Sequence, residues 1–243
     1  VIWSAGCPMR DSTVRIGLLL PEVLGTYGDS GNAQVLCKRL QWRGQDAEVV
    51  PISLSSPVPS TLDLYLLGGG EDGAQVLAAD FLRAATGLRR AAAAGTPVFG
   101  VCAGLQILGT RFHGVDGVDH SGLGLLDATT KPASRRAVSE LVASPELFDA
   151  PLTGFENHQG ETTRGPDSAP LGRVVRGTGN GDGTEGAVTG HVIGTYLHGP
   201  ALARNPALAD LLLSWVLGHP PKPLELSEVE VLRAERLSAR RSR

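Results

Sequence analysis

Cys102 lies in Pro97-Val98-Phe99-Gly100-Val101-Cys102-Ala103-Gly104-Leu105-Gln106, where a short apolar run meets a helix-like pattern. Glycines stand two residues before and two after the cysteine. This spacing predicts a strand that turns sharply into a helix. Such an elbow pushes its central side chain out at the C-terminal edge of a sheet, and the flanking glycines avoid a Cβ clash. Free N–H groups at a helix N-terminus favour a thiolate over a thiol, and an exposed thiolate can attack an acyl carbon. The alternative is a buried core thiol, the usual state of a free cysteine.

Two of the six histidines stand out as partners. His158 sits in Gly154-Phe155-Glu156-Asn157-His158, and His198 in Tyr196-Leu197-His198-Gly199-Pro200, just after an apolar strand pattern. A histidine at a strand end can reach the sheet edge where Cys102 projects, and Cys–His is the minimal pair for acyl transfer. His113, His120, His191 and His219 lie in turns or beside polar residues and read as surface groups. Gly68-Gly69-Gly70-Glu71-Asp72 closes another apolar run. Its N–H groups could form an oxyanion hole, or the run could be a plain tight turn.

These residues must be held by a scaffold, and the chain supplies one in order. Strand patterns cover 14–21, 45–52, 62–67 and 97–101, and helical patterns cover 33–43 and 75–94 with a break near Gly87. A further helix follows the elbow to about Phe112. This alternation predicts an α/β fold with a mostly parallel sheet and helices on both faces. Gly25-Thr26-Tyr27-Gly28-Asp29-Ser30-Gly31-Asn32 lies between the first strand and first helix. It could cradle an anion or simply cap the helix through Asp29 or Ser30. It lacks the Gly-Lys-Ser/Thr ending of a P-loop.

After Phe112 the patterning becomes short strands at 123–130, 136–143, 174–177, 186–188 and 192–196. They read as antiparallel additions to the main sheet, with 179–183 as a hairpin tip. An amphipathic helix over 208–217, the Pro220-Pro221-Lys222-Pro223 linker and a charged helix over 227–241 complete the chain. The domain reading is a disordered extension over 1–13, in which Cys7 has no function, a body over 14–218, and a linker and C-terminal helix over 219–243.

Bulk composition narrows the function. The 243 residues are 42% hydrophobic and 19% charged, with a net charge of −3, so no basic field points to nucleic acid. Cys7, Cys37 and Cys102 match no metal-site or disulfide spacing, and a cytoplasmic setting is the default. No run reaches the ~18–20 apolar residues of a membrane span.

Taken together, Gly100-Val101-Cys102-Ala103-Gly104-Leu105-Gln106, the 68–70 glycine turn and the late His198 resemble the class I, triad-type glutamine amidotransferases, over about residues 14–218. Within them, segments 25–32, 68–72, 154–158 and 196–200 are most similar to the cobyric-acid-synthase-like branch. There they resemble the glutaminase subunits of lipid II isoglutaminyl synthases.

The resemblance implies a flavodoxin-like fold and hydrolysis of L-glutamine. Cys102 is then the nucleophile and His198 the base, with the N–H groups of Gly70 and Ala103 as oxyanion donors. Gln106 and an arginine hold the two ends of free glutamine. Arg136 is favoured over Arg135 for the α-carboxylate, with a surface charge as the plain alternative. No cofactor or metal is implied in this chain; ATP and Mg²⁺ belong to a MurT-like, Mur-ligase-type synthetase partner in a heterodimer. That partner would receive the ammonia and amidate the D-glutamate α-carboxyl of lipid II, a lipid-linked substrate near the inner membrane face. Amidation of cobyrinate and a non-catalytic scaffold are the alternatives.

The family usually reads His-x-Glu, and the glutamate orients the base. Here His198-Gly199-Pro200 offers no such carboxylate. The expectation is therefore a dyad, or a carboxylate supplied by the partner.

Overall fold

The structure is a computed structural model describing residues 12–25, 28–114 and 116–238. The expected extension lies outside these residues except for Ser12 and Thr13, as do Cys7 and positions 239–241 of the expected last helix.

The first half alternates as the patterning requires: β1 (Val14–Leu19), α1 (Gly31–Gln41), β2 (Ala47–Ile52), β3 (Leu64–Leu67), α2 (Asp72–Ala84), α3 (Gly87–Ala93), β4 (Val98–Val101) and α4 (Ala103–Leu108). The second half begins with β5 (Arg111–His113), β6 (Asp119–Ser121), β7 (Ala128–Pro145), β8 (Leu152–Arg164), β9 (Gly172–Arg176) and β10 (Thr184–Glu185). It ends with β11 (Ala187–Thr189), β12 (Val192–Thr195), α5 (Ala201–Arg204), α6 (Pro206–Leu217) and α7 (Ser227–Ser238).

The main sheet has the order β11-β12-β4-β3-β1-β2. All its pairings are parallel except the antiparallel edge pair β11–β12. Alternate residues of a strand face opposite sides, and here each side has its own core. Ile16, Leu18, Leu64, Leu66, Phe99 and Val101 join α1, α5 and α6 on one side. Tyr65, Leu67 and Val98 join α2, α3 and α4 on the other. The short, wholly apolar strands are those of a parallel sheet buried on both faces.

The second half departs from expectation. Its antiparallel strands do not extend the main sheet, apart from β11. They form a second sheet, β10-β9-β7-β5-β6, with β8 paired to β7. Segments 123–130 and 136–143 were expected as separate strands, but one 18-residue strand runs from Ala128 to Pro145. It is bent by a register shift between Pro132 and Ala137. β8 escapes a reading based on alternation because polar Glu156, His158 and Thr162 point inward and are buried. The two sheets meet at bridges Phe155–His198 and Ala169–Val188. The 179–183 turn does join two antiparallel strands, β9 and β10.

The elbow glycines are required by packing. A Cβ on Gly104 would stand 2.8 Å from the Leu67 carbonyl oxygen and 2.9 Å from its Cβ. One on Gly100 would stand 2.8 Å from the Gly104 carbonyl carbon. Replacing a helical glycine by alanine ordinarily stabilises by about 1 kcal/mol. Gly104→Ala should instead destabilise by roughly 1–3 kcal/mol through overpacking. A lower urea midpoint at unchanged m-value would confirm it, and a raised midpoint would refute it.

Candidate active site

Cys102 caps α4 with φ 53° and ψ −105°, a left-handed conformation that costs a non-glycine residue on the order of 1–3 kcal/mol. Neighbours hold it there: its N–H donates to the Thr195 carbonyl at 2.8 Å, and its own carbonyl accepts from Gln106 N–H at 3.1 Å. The side chain is half-buried and reaches a cavity of about 320 Å³ at the C-terminal edge of the main sheet. All six residues singled out from the sequence line this cavity: Cys102, His198, Gln106, Arg136, Gly70 and Ala103. Arg135 is exposed and is not among its lining.

The carboxylate expected from outside the chain is present within it. Asp29 Oδ2 lies 2.9 Å from His198 Nδ1 and accepts the Gly69 N–H at 2.9 Å. Both side chains are buried, 1% exposed for His198 and 0% for Asp29. A carboxylate on Nδ1 fixes the imidazole with Nε2 turned the other way. The expectation that the chain has no carboxylate of its own for His198 is thus corrected. The reason is topological: the loop after β1 and the loop after β12 end at the same sheet edge, 169 residues apart in sequence.

The two loops interlock. Asn32 Oδ1 accepts the Leu202 N–H at 2.9 Å. A Cβ on Gly31 would stand 2.6 Å from Pro200 Cγ. Ser30 occupies the N-cap of α1 without a side-chain bond. The polar groups of 28–32 therefore serve His198 and α5 more than the helix end.

The glycine turn is likewise explained by close approach. A Cβ on Gly68 would stand 2.2 Å from the Leu24 carbonyl oxygen. One on Gly69 would meet His198 Cε1 at 3.0 Å, Asp29 Oδ2 at 3.1 Å and Cys102 Cβ at 3.5 Å. Gly69 is the point where the three side chains converge. Its N–H serves Asp29, so only part of the glycine turn is open to a ligand.

Burial lowers the imidazole's proton affinity, but hydrogen bonds and charge from Asp29 and Cys102 outweigh it and raise the His198 pKa to about 9. The site thus favours an imidazolium beside the sulfur.

Gln106 is fixed at both ends. Its Oε1 accepts from Gln75 Nε2 at 2.5 Å, and its Nε2 donates to the Tyr196 hydroxyl at 3.2 Å. Tyr196 continues to Thr162 at 2.7 Å, and Thr162 to Thr130 at 2.8 Å. His158, the second candidate base, also lines the cavity. Its ring stacks on Tyr196 with centroids 3.7 Å apart, and its Nδ1 donates to the Gly160 carbonyl at 3.0 Å. It supports the wall, with Glu156 3.5 Å from Nε2. Burial raises the Glu156 pKa, but bonds from His158, Ser139, Gly179 and Thr178 together hold it below the usual range. Arg136 reaches the cavity from the irregular stretch of β7, with Nε donating to Asn157 Oδ1 at 2.6 Å. A bulge beside a site re-aims side chains in this way. Gln75 and Glu185 carry no local motif, so the sequence did not mark them, and Tyr196 was marked only as part of the 196–200 segment.

A CobB/CobQ-like glutamine amidotransferase domain matches residues 15–206. The chain belongs to that family. Two curated relatives carry the name lipid II isoglutaminyl synthase (glutamine-hydrolyzing) subunit GatD. The one from Staphylococcus aureus strain N315 is 34% identical over 215 residues, 87% of each chain. The one from Streptococcus pneumoniae is 34% identical over 209 residues, 84% of this chain and 80% of its own. A solved structure described as a glutamine amidotransferase superposes with a TM-score of 0.58 at 21% identity, covering 83% of this chain and 98% of its own, which supports the fold. The chain is thus a glutaminase-type amidotransferase domain. Among the described residues no helix is long and apolar enough to cross a membrane.

Glu185 supports the end of β12, three residues before His198. Its Oε1 accepts the Thr195 hydroxyl at 2.5 Å and the Tyr196 N–H at 2.8 Å. Burial raises its pKa, bonds from Thr195, Tyr196 and Gly186 oppose it and the Glu156 charge adds to it, leaving a value of about 7. A carboxyl raised from 4.5 in the unfolded chain stabilises fully below pH 4.5, and that contribution is lost as pH rises through 7. The loss is on the order of 3 kcal/mol. Thermal melts between pH 4.5 and 8 should show a steeper decline in wild type than in Glu185→Gln, which keeps only the part due to His198 above about pH 6.5. Parallel profiles in the two proteins would contradict it.

Proposed function

We propose that this chain is the glutamine-hydrolysing subunit of a lipid II isoglutaminyl synthase. The observation that carries the chemistry is the convergence of Cys102, His198 and Asp29 on Gly69 at the edge of a cavity. What supports the particular pathway is the likeness to two GatD subunits across most of both chains.

In this reading the Cys102 thiolate attacks the side-chain carbonyl carbon of L-glutamine. The N–H groups of Gly70 and Ala103 receive the developing oxyanion. His198 gives its proton to the departing ammonia, leaving a γ-glutamyl thioester on Cys102. The neutral imidazole then takes a proton from water, which attacks the thioester and releases glutamate with the thiol restored. Asp29 keeps the imidazole oriented and stabilises its cationic form. Arg136 pairs with the α-carboxylate as a planar two-point donor.

Ammonia passes to a MurT-like, Mur-ligase-type synthetase subunit. That partner, with ATP and Mg²⁺, activates the D-glutamate α-carboxyl of lipid II and forms D-isoglutamine. No ATP motif is found in this chain, so the nucleotide site is assigned to the partner. The setting is cytoplasmic, at the membrane face where the lipid-linked substrate lies.

The test is glutamate release from L-glutamine by the chain alone and with a Mur-ligase-type subunit. Cys102→Ala and His198→Ala should abolish turnover. Asp29→Asn should retain the fold and lower kcat by roughly 10²–10⁴-fold. Release by the Cys102→Ala protein at the wild-type rate would overturn the mechanism. In the same assay, Arg136→Ala should raise KM by roughly 10–100-fold, and Arg135→Ala should leave it within about twofold. Equal effects would remove Arg136 from its assigned role.

A further inference from the structure

His198 is followed by Gly199, whose φ of 133° lies where L side chains rarely go, then by Pro200 and the single turn of α5. A glycine in that conformation is a pivot, so the position of α5 bears on that of the imidazole. The stem of Arg204, the last residue of α5, lies over the pivot: a Cβ on Gly199 would stand 2.9 Å from Arg204 Cδ.

The C-terminal helix α7 reaches this segment from beyond the matched family domain, which ends at residue 206. Arg233 is the buried residue of a helix that is otherwise exposed or half-buried. A buried arginine must be offset by hydrogen bonds, and those of Arg233 go to the segment after the base and to the start of β8. Its Nη1 donates to the Arg204 carbonyl and, at 3.3 Å, to Asn205 Oδ1, and its Nη2 donates to the Pro151 carbonyl at 2.9 Å. Asn205 in turn joins α5 to β8. It accepts the Thr153 N–H and donates to the carbonyls of Thr153 and Ala201, each at 2.8 Å. β8 meets the base two residues further on, at the Phe155–His198 bridge. A second tie runs through Glu140 of β7, which accepts from Arg204 and from Arg236 of α7.

We propose that α7 is a strap on the catalytic base and that Arg233 is its positioning residue. By bonding the Arg204 and Pro151 carbonyls at once, the guanidinium holds α5 against β8 and keeps the pivot at Gly199 from turning His198 away from Cys102. This rests on the reading of His198 as the base in a glutaminase, yet it can be tested without turnover.

The experiment measures alkylation of Cys102 by iodoacetamide at pH 6 in the full chain, located by peptide mass spectrometry. Beside it are kcat and KM for glutamate release with the Mur-ligase-type subunit present. An unassisted thiol is almost wholly protonated at pH 6, so reaction there reports the imidazolium beside the sulfur. Arg233→Met keeps the apolar stem and removes the donors. It should slow alkylation and lower kcat by roughly 10–100-fold with KM within about twofold, the cost of a small misplacement of a catalytic group. Arg233→Lys keeps donors for the two carbonyls and should stay within about threefold of wild type. Glu140→Gln weakens the second tie at the surface and should slow both reactions by about threefold. Leu232→Ser, on the exposed side of the same helix, should change neither. A lower melting temperature in Arg233→Met with wild-type alkylation and kcat would show that α7 only stabilises the fold, and would overturn the proposal. So would equal losses in the methionine and lysine variants, which would trace the effect to packing and not to the hydrogen bonds. If the Arg233 variants do not fold, Glu140→Gln decides, and wild-type rates in that protein would overturn the strap. The expected alkylation pattern with no glutamate release by wild type would overturn the glutaminase reading and leave the strap standing.

Discussion

The contact on which the site depends is the buried pair between Asp29 and His198. Both side chains are buried away from bulk solvent, and a buried charge without a partner is severely unfavourable. Each is satisfied by groups the fold brings from elsewhere: Gly69 N–H for the carboxylate, and Asp29 with Cys102 for the imidazole. The consequence reaches the backbone. A Cβ on Gly69 would crowd His198, Asp29 and Cys102, the loop after β1 must press on the HGP turn, and β12 must run parallel to β4 so that His198 arrives beside the elbow.

The parallel sheet makes this convergence inexpensive in sequence terms. β1, β3, β4 and β12 are neighbours and all point the same way. Their C-terminal ends therefore deliver Asp29, the glycine turn, Cys102 and His198 to a single edge, as open α/β sheets do. The second sheet supplies what the first lacks. Its long β7 bends between Pro132 and Ala137, and the bend, with β8, lines the cavity with Arg136, Asn157 and His158. The Phe155–His198 bridge ties that wall to the base: the His198 N–H donates to Phe155 at 2.8 Å while its ring faces the cysteine.

What was legible in the sequence was local. The elbow, the glycine turn and the histidine after β12 each carry their chemistry within a few residues, and all three reach the cavity. Features set by long-range pairing were not legible. Asp29 was read as a possible helix cap because its own loop gives no sign of a histidine 169 positions away. β8 hides because its buried face carries Glu156, His158 and Thr162, residues that look like solvent-facing positions until their partners are known. Gln75 reads as an ordinary polar residue on an amphipathic helix. Only the neighbouring Gln106 amide, itself held by Tyr196, shows that it belongs to the cavity wall.

The departure at His198-Gly199-Pro200 shows what such a motif is for. In the usual His-x-Glu arrangement the strand that carries the base also carries its carboxylate, two residues on. Here the position two beyond the histidine is Pro200, whose ring packs on Gly31, and the carboxylate arrives from the loop after β1. The requirement is an acceptor on Nδ1 in a site closed to water, and either strand end can satisfy it because both lie at the same edge. The exchange also changes what the first loop must do. Here 28–32 are committed by Asp29 to His198, by Gly31 to Pro200 and by Asn32 to Leu202. A loop that reads from its sequence as an anion cradle or a helix cap holds the base in place through these three contacts.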